Sequence, residues 1–541
     1  MPFLAKAHSP IPTQDILSWQ FDDPQYDLDQ PIYNDAVDPT RFITGRQGKA
    51  LIRQLAAGFR KHGLRKGDCV VIGSFNNLFY PVLALGILAA GGIYTGTNPA
   101  YTSFEVAHQV NTVHAKFIIC EPDILSTILE AKHDVPKSRI FIFDHDGQRV
   151  PDGFESYKAL LEHGEADWPR FDDAETSKNT TAMLLFSSGT TGLPKAVQLS
   201  HYNLIAQDTL VREVRPQTAE TQRLVALPIF HAATTPSCVI APFKGGEKRY
   251  ICKRFELESF LKYMEKYKVP ELVLVPPLAI AILMSPLTKK YSLEHIQWAA
   301  CGAAPLDKDV QARFKILLPP GTPFTQGYGM TEASCLISTV APPEHDDSGS
   351  VGRMINNLDV KVIDEDGNDI SDYDVRGEIC LRGPTITRGY FEDEEANKRD
   401  FDDEGYFHTG DVGYLSKETG FWYIVDRRKE LIKVRSFQVA PAELEAVLLS
   451  HPSIVDAAVI GIPASQNSTS GELPRAYVVQ RDDSTTLTED EVVNYSAERL
   501  VGYKRLEGGV KFVDAIPKTP SGKILKKKLR EWARRERGAK L

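Results

Sequence analysis

Cys69-Val-Val-Ile-Gly73, Tyr80-Pro-Val-Leu-Ala-Leu-Gly-Ile-Leu-Ala-Ala90, Gly92-Ile-Tyr-Thr-Gly96 and Lys116-Phe-Ile-Ile-Cys120 decide the fold class. The first, third and fourth are short apolar runs rich in β-branched residues, which suit strands buried on both faces. The second carries a helical apolar face, and Phe104 to Thr112 predicts another helix before the last strand. Strand and helix therefore alternate, which builds βαβ units and a mainly parallel sheet. The same rhythm returns at Arg223–Leu227, Ser259–Tyr267, Leu272–Val275 and Ile296–Ala300.

Outward from this α/β region the texture changes. Beyond about residue 350, Val360-Lys-Val-Ile-Asp364, Gly377–Arg382 and Phe421–Val425 read as strands between Gly/Asp turns, a β-rich subdomain. From Pro441 a helix is expected, then strands at Val455–Gly461 and Ala476–Gln480 and a helix near Glu489–Leu500. The 541 residues exceed what one core supports. The expected division is 1–426 (β-rich from about 350 to 426), a hinge at 427–429 and a small mobile α+β domain at 430–541.

The composition, 42% hydrophobic and 25% charged, is that of an ordinary globular chain. A formal charge of −9 gives no broad phosphate-neutralising surface, so nucleic acid is not expected as a partner. The seven cysteines are scattered, with no CxxC pair and no Cys/His cluster, which fits reduced thiols. The start, MPFLAKAHSPIPTQDILSW, has no apolar core of signal-peptide length, and Tyr80 to Tyr94 is too short and glycine-broken to span a membrane. Ala539-Lys540-Leu541 differs from the Ser-Lys-Leu peroxisomal address by one small residue. Capture by the peroxisomal import receptor is expected from it; without that address the location would be cytoplasmic.

Leu184-Leu-Phe-Ser-Ser-Gly-Thr-Thr-Gly-Leu-Pro-Lys195 runs an apolar strand into four hydroxyls, two glycines and a lysine. Glycines permit sharp turns, backbone N–H groups and hydroxyls donate to phosphate oxygens, and Lys195 adds positive charge. No Gly directly precedes the lysine and no Ser/Thr follows it, so this is not a Walker A loop.

This loop resembles the phosphate loop of the adenylate-forming superfamily (acyl-CoA synthetases, luciferase, peptide-synthetase adenylation domains). Five further segments resemble that family in order: Leu227–His231, Cys301–Pro305, Gln326–Glu332, Tyr406–Asp411 and Asp426–Lys433, with Pro517–Lys523 after them. The resemblance is greatest to 4-coumarate–CoA ligase and related aryl or acyl-CoA ligases. It implies ATP, Mg²⁺ and coenzyme A, with a small carboxylic acid joined first to AMP and then to CoA. Lys523, His231, Thr331 and Glu332 are implied as catalytic residues, Glu332 also holding the metal. The implied nucleotide site comprises Ser187, Ser188, Gly189, Thr190, Thr191, Gly192 and Lys195 in the loop. Gly302, Ala303 and Ala304 would pack on adenine. Gln326, Gly327, Tyr328, Gly329 and Met330 join Thr331 near the α-phosphate, while Asp411, Arg427, Lys429 and Lys433 complete the ribose and hinge side. His231, Ala233, Ser237, Ala303, Gly327 and Cys335 would line the acid pocket, and Arg254, Arg435 and Ser436 would meet CoA.

Singly these residues have ordinary readings: Asp411 can close a turn, His231 can sit satisfied in a core, and Lys523 is one lysine among Lys518, Lys526, Lys527 and Lys528. Two departures bear on function. Ser436 stands where the family has glycine, at a cost of about 1 kcal/mol if that position needs positive φ. Ala233 replaces the tyrosine of hydroxycinnamate ligases, leaving aromatic, arylalkanoic and medium-chain acids as candidates. A luciferase-like enzyme, a carrier-loading adenylation module and a non-catalytic binding protein are the alternatives.

Overall fold

The computed structural model describes residues 1–187, 194–428, 430–434, 437–464, 471–481, 487–500, 502–519 and 522–538. Ser188, Gly189, Thr190, Thr191, Gly192, Lys429, Arg435, Ser436 and Ala539–Leu541 lie outside them, as do the side chains of Arg427 and Lys433.

Among the described residues two large sheets dominate. The first has seven strands, ordered Glu155–Ser156, Ile140–Ile142, Phe117–Cys120, Cys69–Gly73, Ile93–Thr97, Thr181–Ser187 and Lys195–Ser200. Its pairs are parallel except for the last, which is antiparallel. The glycine–hydroxyl loop therefore joins the two arms of a hairpin. Every residue of Cys69–Gly73 is buried, as its unbroken apolar run requires. Helix Tyr80–Ala90 is buried all round, begins with Pro81 in its first turn and ends on Gly91 at φ 91°. Helix Ser103–Thr112 starts from a reciprocal Thr102/Glu105 cap.

The second sheet has nine strands and carries the site. Its parallel centre comprises Lys248–Ile251, Gln222–Val225, Glu271–Leu274, Trp298–Cys301 and Phe324–Met330. Cys335–Thr339 then turns back antiparallel on Phe324–Met330. The carboxyl ends of these parallel strands open together, the usual ligand side of such a sheet. A four-stranded antiparallel sheet (Asp359–Ile363, Gly377–Arg382, Phe407–Leu415, Trp422–Arg427) contributes Glu378 and residues 407–410 to the cavity on that side.

The C-terminal part has its own buried apolar cluster, including Ile432, Leu444, Leu448, Val459 and Val478. Strands Ile454–Pro463, Glu472–Gln480 and Val510–Phe512 pack with helices Pro441–Leu449, Glu489–Ala497 and Lys526–Gly538. Its loop before Lys523 docks on the sheet side: a Cβ at Gly522 would lie 2.8 Å from Pro277 Cγ. No helix of the described residues is long and apolar enough to cross a membrane.

Candidate active site

A cavity of about 1070 Å³ opens at the carboxyl ends of the second sheet. Ser187 and Lys195, at the two arms of the hairpin, line one end of it. Lys195 Nζ lies 3.3 Å from Asp400 Oδ2 and 4.3 Å from the Tyr390 ring centre. Burial raises the Asp400 carboxyl, but hydrogen bonds from Arg399 and the charge of Lys195 outweigh it and hold the group below its usual range. The Tyr390 hydroxyl donates to Glu332 Oε1 at 3.1 Å. Burial, and then the Glu332 and Asp400 carboxyls, push the Tyr390 phenol up, so it stays a donor. Lys195 and Glu332, 137 positions apart by subtraction of their numbers, are thus linked through Tyr390. Tyr390, Arg399 and Asp400 lie outside every segment that drew notice in the sequence, where nothing set them apart from ordinary surface residues.

Thr331 and Glu332 sit in a single helical turn at the tip of the hairpin between Phe324–Met330 and Cys335–Thr339. Ser334 at φ 60° and Cys335 at φ 135° reverse the chain there, conformations that store strain at a functional turn. The tip can close only because Gly329 lacks a side chain: a Cβ there would meet the Cys335 carbonyl oxygen at 2.1 Å. Gly329→Ala should therefore force the two strands apart and destabilise the protein by about 1–3 kcal/mol. A fall in the thermal midpoint checks this; an unchanged midpoint would show the hairpin to be tolerant.

Gly302, Ala303, Gly327, Tyr328, Gly329 and Met330 also line the cavity. Gln326 does not. Its side-chain oxygen accepts from Leu306 N, and its nitrogen donates to the Leu306 carbonyl and Gln311 Oε1, each at 2.9 Å. The residue expected at the nucleotide thus positions the 302–306 loop from behind. Ala304 is likewise outside the lining, and Arg254 is exposed on the chain beyond Lys248–Ile251 rather than in the cavity. Asp411 is buried beside the cavity, its Oδ2 accepting from the Tyr328 hydroxyl at 2.6 Å. Asp411 and Arg427 face each other in the strand register.

His231 and Lys523 also line the cavity. The Ala233 N–H donates to His231 Nδ1 at 3.1 Å, so the neutral ring carries its proton on Nε2. Burial first, and the Lys523 ammonium second, lower the His231 pKa to about 4. Lys523 is fixed by its own turn: its carbonyl accepts from Thr519 N at 2.7 Å and its N–H donates to Thr519 Oγ1 at 3.0 Å. Ala233, Ser237 and Cys335 line the recess beyond His231. With its pKa depressed, His231 favours folding above its unfolded value near 6.5 and loses that contribution as pH falls toward 4. Activity should accordingly show no inflection at pH 6–7 that His231→Gln abolishes; such an inflection in a pH–rate profile would place a charged imidazole in the site.

The arrangement sets Ser187 and Lys195 of the hairpin, the Glu332 carboxyl and Lys523 of the C-terminal part around one space. Residues 24–391 match the model of the AMP-binding enzyme, and 443–523 match the AMP-binding enzyme C-terminal domain. The chain belongs to the AMP-binding enzyme family. It is 49% identical to the acyl-CoA ligase azaF of Aspergillus niger over 98% of this chain and 100% of that one. It is also 49% identical to the phenylacetyl-CoA ligase epaB of Aspergillus niger, over 98% and 99%. Among solved structures, ATP-bound MatB from Rhodopseudomonas palustris superposes with TM-score 0.83 at 26% identity, covering 96% of this chain and 98% of that chain. This AMP-binding enzyme is therefore similar to CoA ligases in sequence over its whole length and to ATP-bound MatB in architecture.

Proposed function

We propose that this AMP-binding enzyme is an ATP-dependent acid–CoA ligase acting on an aromatic, arylalkanoic or medium-chain carboxylic acid. The observation that carries the reading is the single cavity shared by Lys195, Glu332, His231 and Lys523, although these residues come from distant parts of the chain. The names of its relatives, an acyl-CoA ligase and a phenylacetyl-CoA ligase, support the same class.

In the first step a carboxylate oxygen attacks the ATP α-phosphorus, and the bond to pyrophosphate breaks. Two anions meet, so fixed positive charge must offset their repulsion. Lys523, which lines the same cavity as His231, would bridge the carboxylate and the α-phosphate through its ammonium. Neutral His231 walls the acid recess without adding a charge. Lys195, now held by Asp400 and Tyr390, would move to the outer phosphates. The Gly/Ser/Thr loop at 188–193 would supply their remaining donors. Asp411 can accept from the ribose hydroxyls beside Tyr328. In the second step the CoA thiol, as thiolate, attacks the acyl carbonyl and AMP leaves.

Mg²⁺ belongs to the proposal. Glu332 fits it, offering one cavity-facing carboxyl. A single carboxylate with phosphates and water is how Mg²⁺ is commonly held at nucleotides. Bound there, it would neutralise charge on the leaving pyrophosphate.

AMP release should require both an acid and CoA across a panel of aromatic acids and aliphatic acids from butyrate to dodecanoate. Release at full rate without CoA would sink the ligase reading and favour an adenylate-using alternative. Import through Ala539-Lys540-Leu541 is a further part of the proposal, and a fluorescent fusion ending in this tail should enter peroxisomes. Deleting the three residues should leave it diffuse; punctate signal without them would remove their role.

A further inference from the structure

The acid recess changes character with depth, and the sheet register shows how. Arg223 pairs with Glu271, and Glu271 with Trp298, so these three lie in one row near the amino ends of their parallel strands. Two residues further on, Val225, Val273 and Ala300 point to the same side, because side chains alternate. Two residues beyond those come Leu227, Val275 and Gly302, at the nucleotide level. At about 3.3 Å per residue, the first row lies ~13 Å deeper than the third. The recess therefore has an apolar waist and a polar floor.

That floor is not electrically balanced. Arg223 Nε contacts Glu271 Oε2 at 2.5 Å, and Arg215 approaches the same carboxylate at 3.5 Å. Behind the floor, Arg212 bridges the cavity-lining Asp208 and Glu247, and Arg249 also pairs with Glu247; Arg212, Glu247 and Arg249 themselves do not line the cavity. Four arginines thus share three carboxylates, leaving one positive charge in excess within the network. Donor groups at this end are also unused. Arg215 Nε and Trp298 Nε1 have no hydrogen-bond partner among the described residues, although the Arg215 guanidinium stacks 4.1 Å over the Trp298 ring. Both amide atoms of Gln207 are without a partner too, on a residue only 2% exposed that lines the cavity. Buried polar groups are costly when unpaired, and an apolar acyl tail would leave all of them so.

Resting on the acid–CoA ligase reading, we infer that the substrate acid carries a second oxygen acceptor, foremost a carboxylate, at its far end, received by Arg215, Gln207 and Trp298. The apolar waist contacts the intervening chain or ring, while the reacting carboxylate stays near Lys523. Gln207 and Arg215 are then specificity residues, selecting the distal group without touching the reacting atoms.

The test compares acids matched except at the far end: octanoate against octanedioate, and phenylacetate against 4-carboxyphenylacetate. In ATP–pyrophosphate exchange by the full chain, the distal carboxylate should raise kcat/KM at least ten-fold in at least one pair. Arg215→Leu should cut that preference ten-fold or more, and Gln207→Leu, which leaves the arginines in place, should cut it several-fold. The ratio between paired acids is the readout, so a general loss of folded enzyme does not mimic the effect. A wild type that prefers the apolar member of both pairs overturns the inference, as when ordered water alone occupies the floor, while the ligase reading stands. Exchange with no acid at all overturns both.

Discussion

Replacing Lys523 by alanine is expected to lower adenylate formation by about 10²–10³-fold, the loss typical when one fixed donor to a developing anion is removed. The reason lies in placement. Lys523 lines the cavity beside His231, and its charge is felt by that imidazole. Among the described residues no other lysine of the tail shares this position. Lys518 pairs with Asp456 at 2.6 Å, Lys526 is buried, and Lys527 and Lys528 are exposed. The carboxylate–phosphate repulsion that Lys523 would offset exists only in the first half-reaction. Thioester formation from supplied acyl-AMP should therefore be largely retained in Lys523→Ala, while pyrophosphate exchange collapses. Equal losses in both half-reactions, measured separately, would contradict this division.

Lys526→Met is expected to have the next largest effect, on stability rather than chemistry. Lys526 is 7% exposed and lies 3.4 Å from both Glu430 and Glu445. Burial lowers its pKa, but Glu445, Asp426 and Glu430 together outweigh that and raise it well above the usual lysine value. One ammonium thus ties helix Lys526–Gly538 to helix Pro441–Leu449 and to the chain that links the two parts of the molecule. Removing it leaves two carboxyls facing each other with little water, a loss of about 3–5 kcal/mol. Thermal unfolding and limited proteolysis should show the C-terminal part opening early, whereas Lys527→Met should match wild type. An unchanged melting profile for Lys526→Met would mean the acidic pair is hydrated.

The two lysines also show where sequence reading stops. Lys523 and Lys526 stand three positions apart in one basic tail, and only spatial neighbours separate a cavity-facing charge from a buried tie. The α/β alternation was legible because buried parallel strands require unbroken apolar runs, as in Cys69–Gly73 and Phe117–Cys120. Element ends were less so: the strand expected at Ala476–Gln480 begins at Glu472, and the helix expected to Leu500 ends at Ala497. Gln326 was placed at the nucleotide by its motif, yet its amide is consumed by Leu306 and Gln311. Tyr390 and Asp400 were invisible because a phenol and a carboxylate acquire a role only from what faces them.

By itself the sequence determined the α/β class, the order of the motif segments and the residue types able to manage phosphate charge, because local periodicity and loop chemistry are written in neighbouring residues. Only the tertiary structure decided which lysine enters the cavity, which glutamine turns away from it, and that the same cavity is also lined by Arg215, Gln207 and Trp298. Those facts depend on contacts between segments far apart in the chain, where burial and opposing charge set each side chain's role.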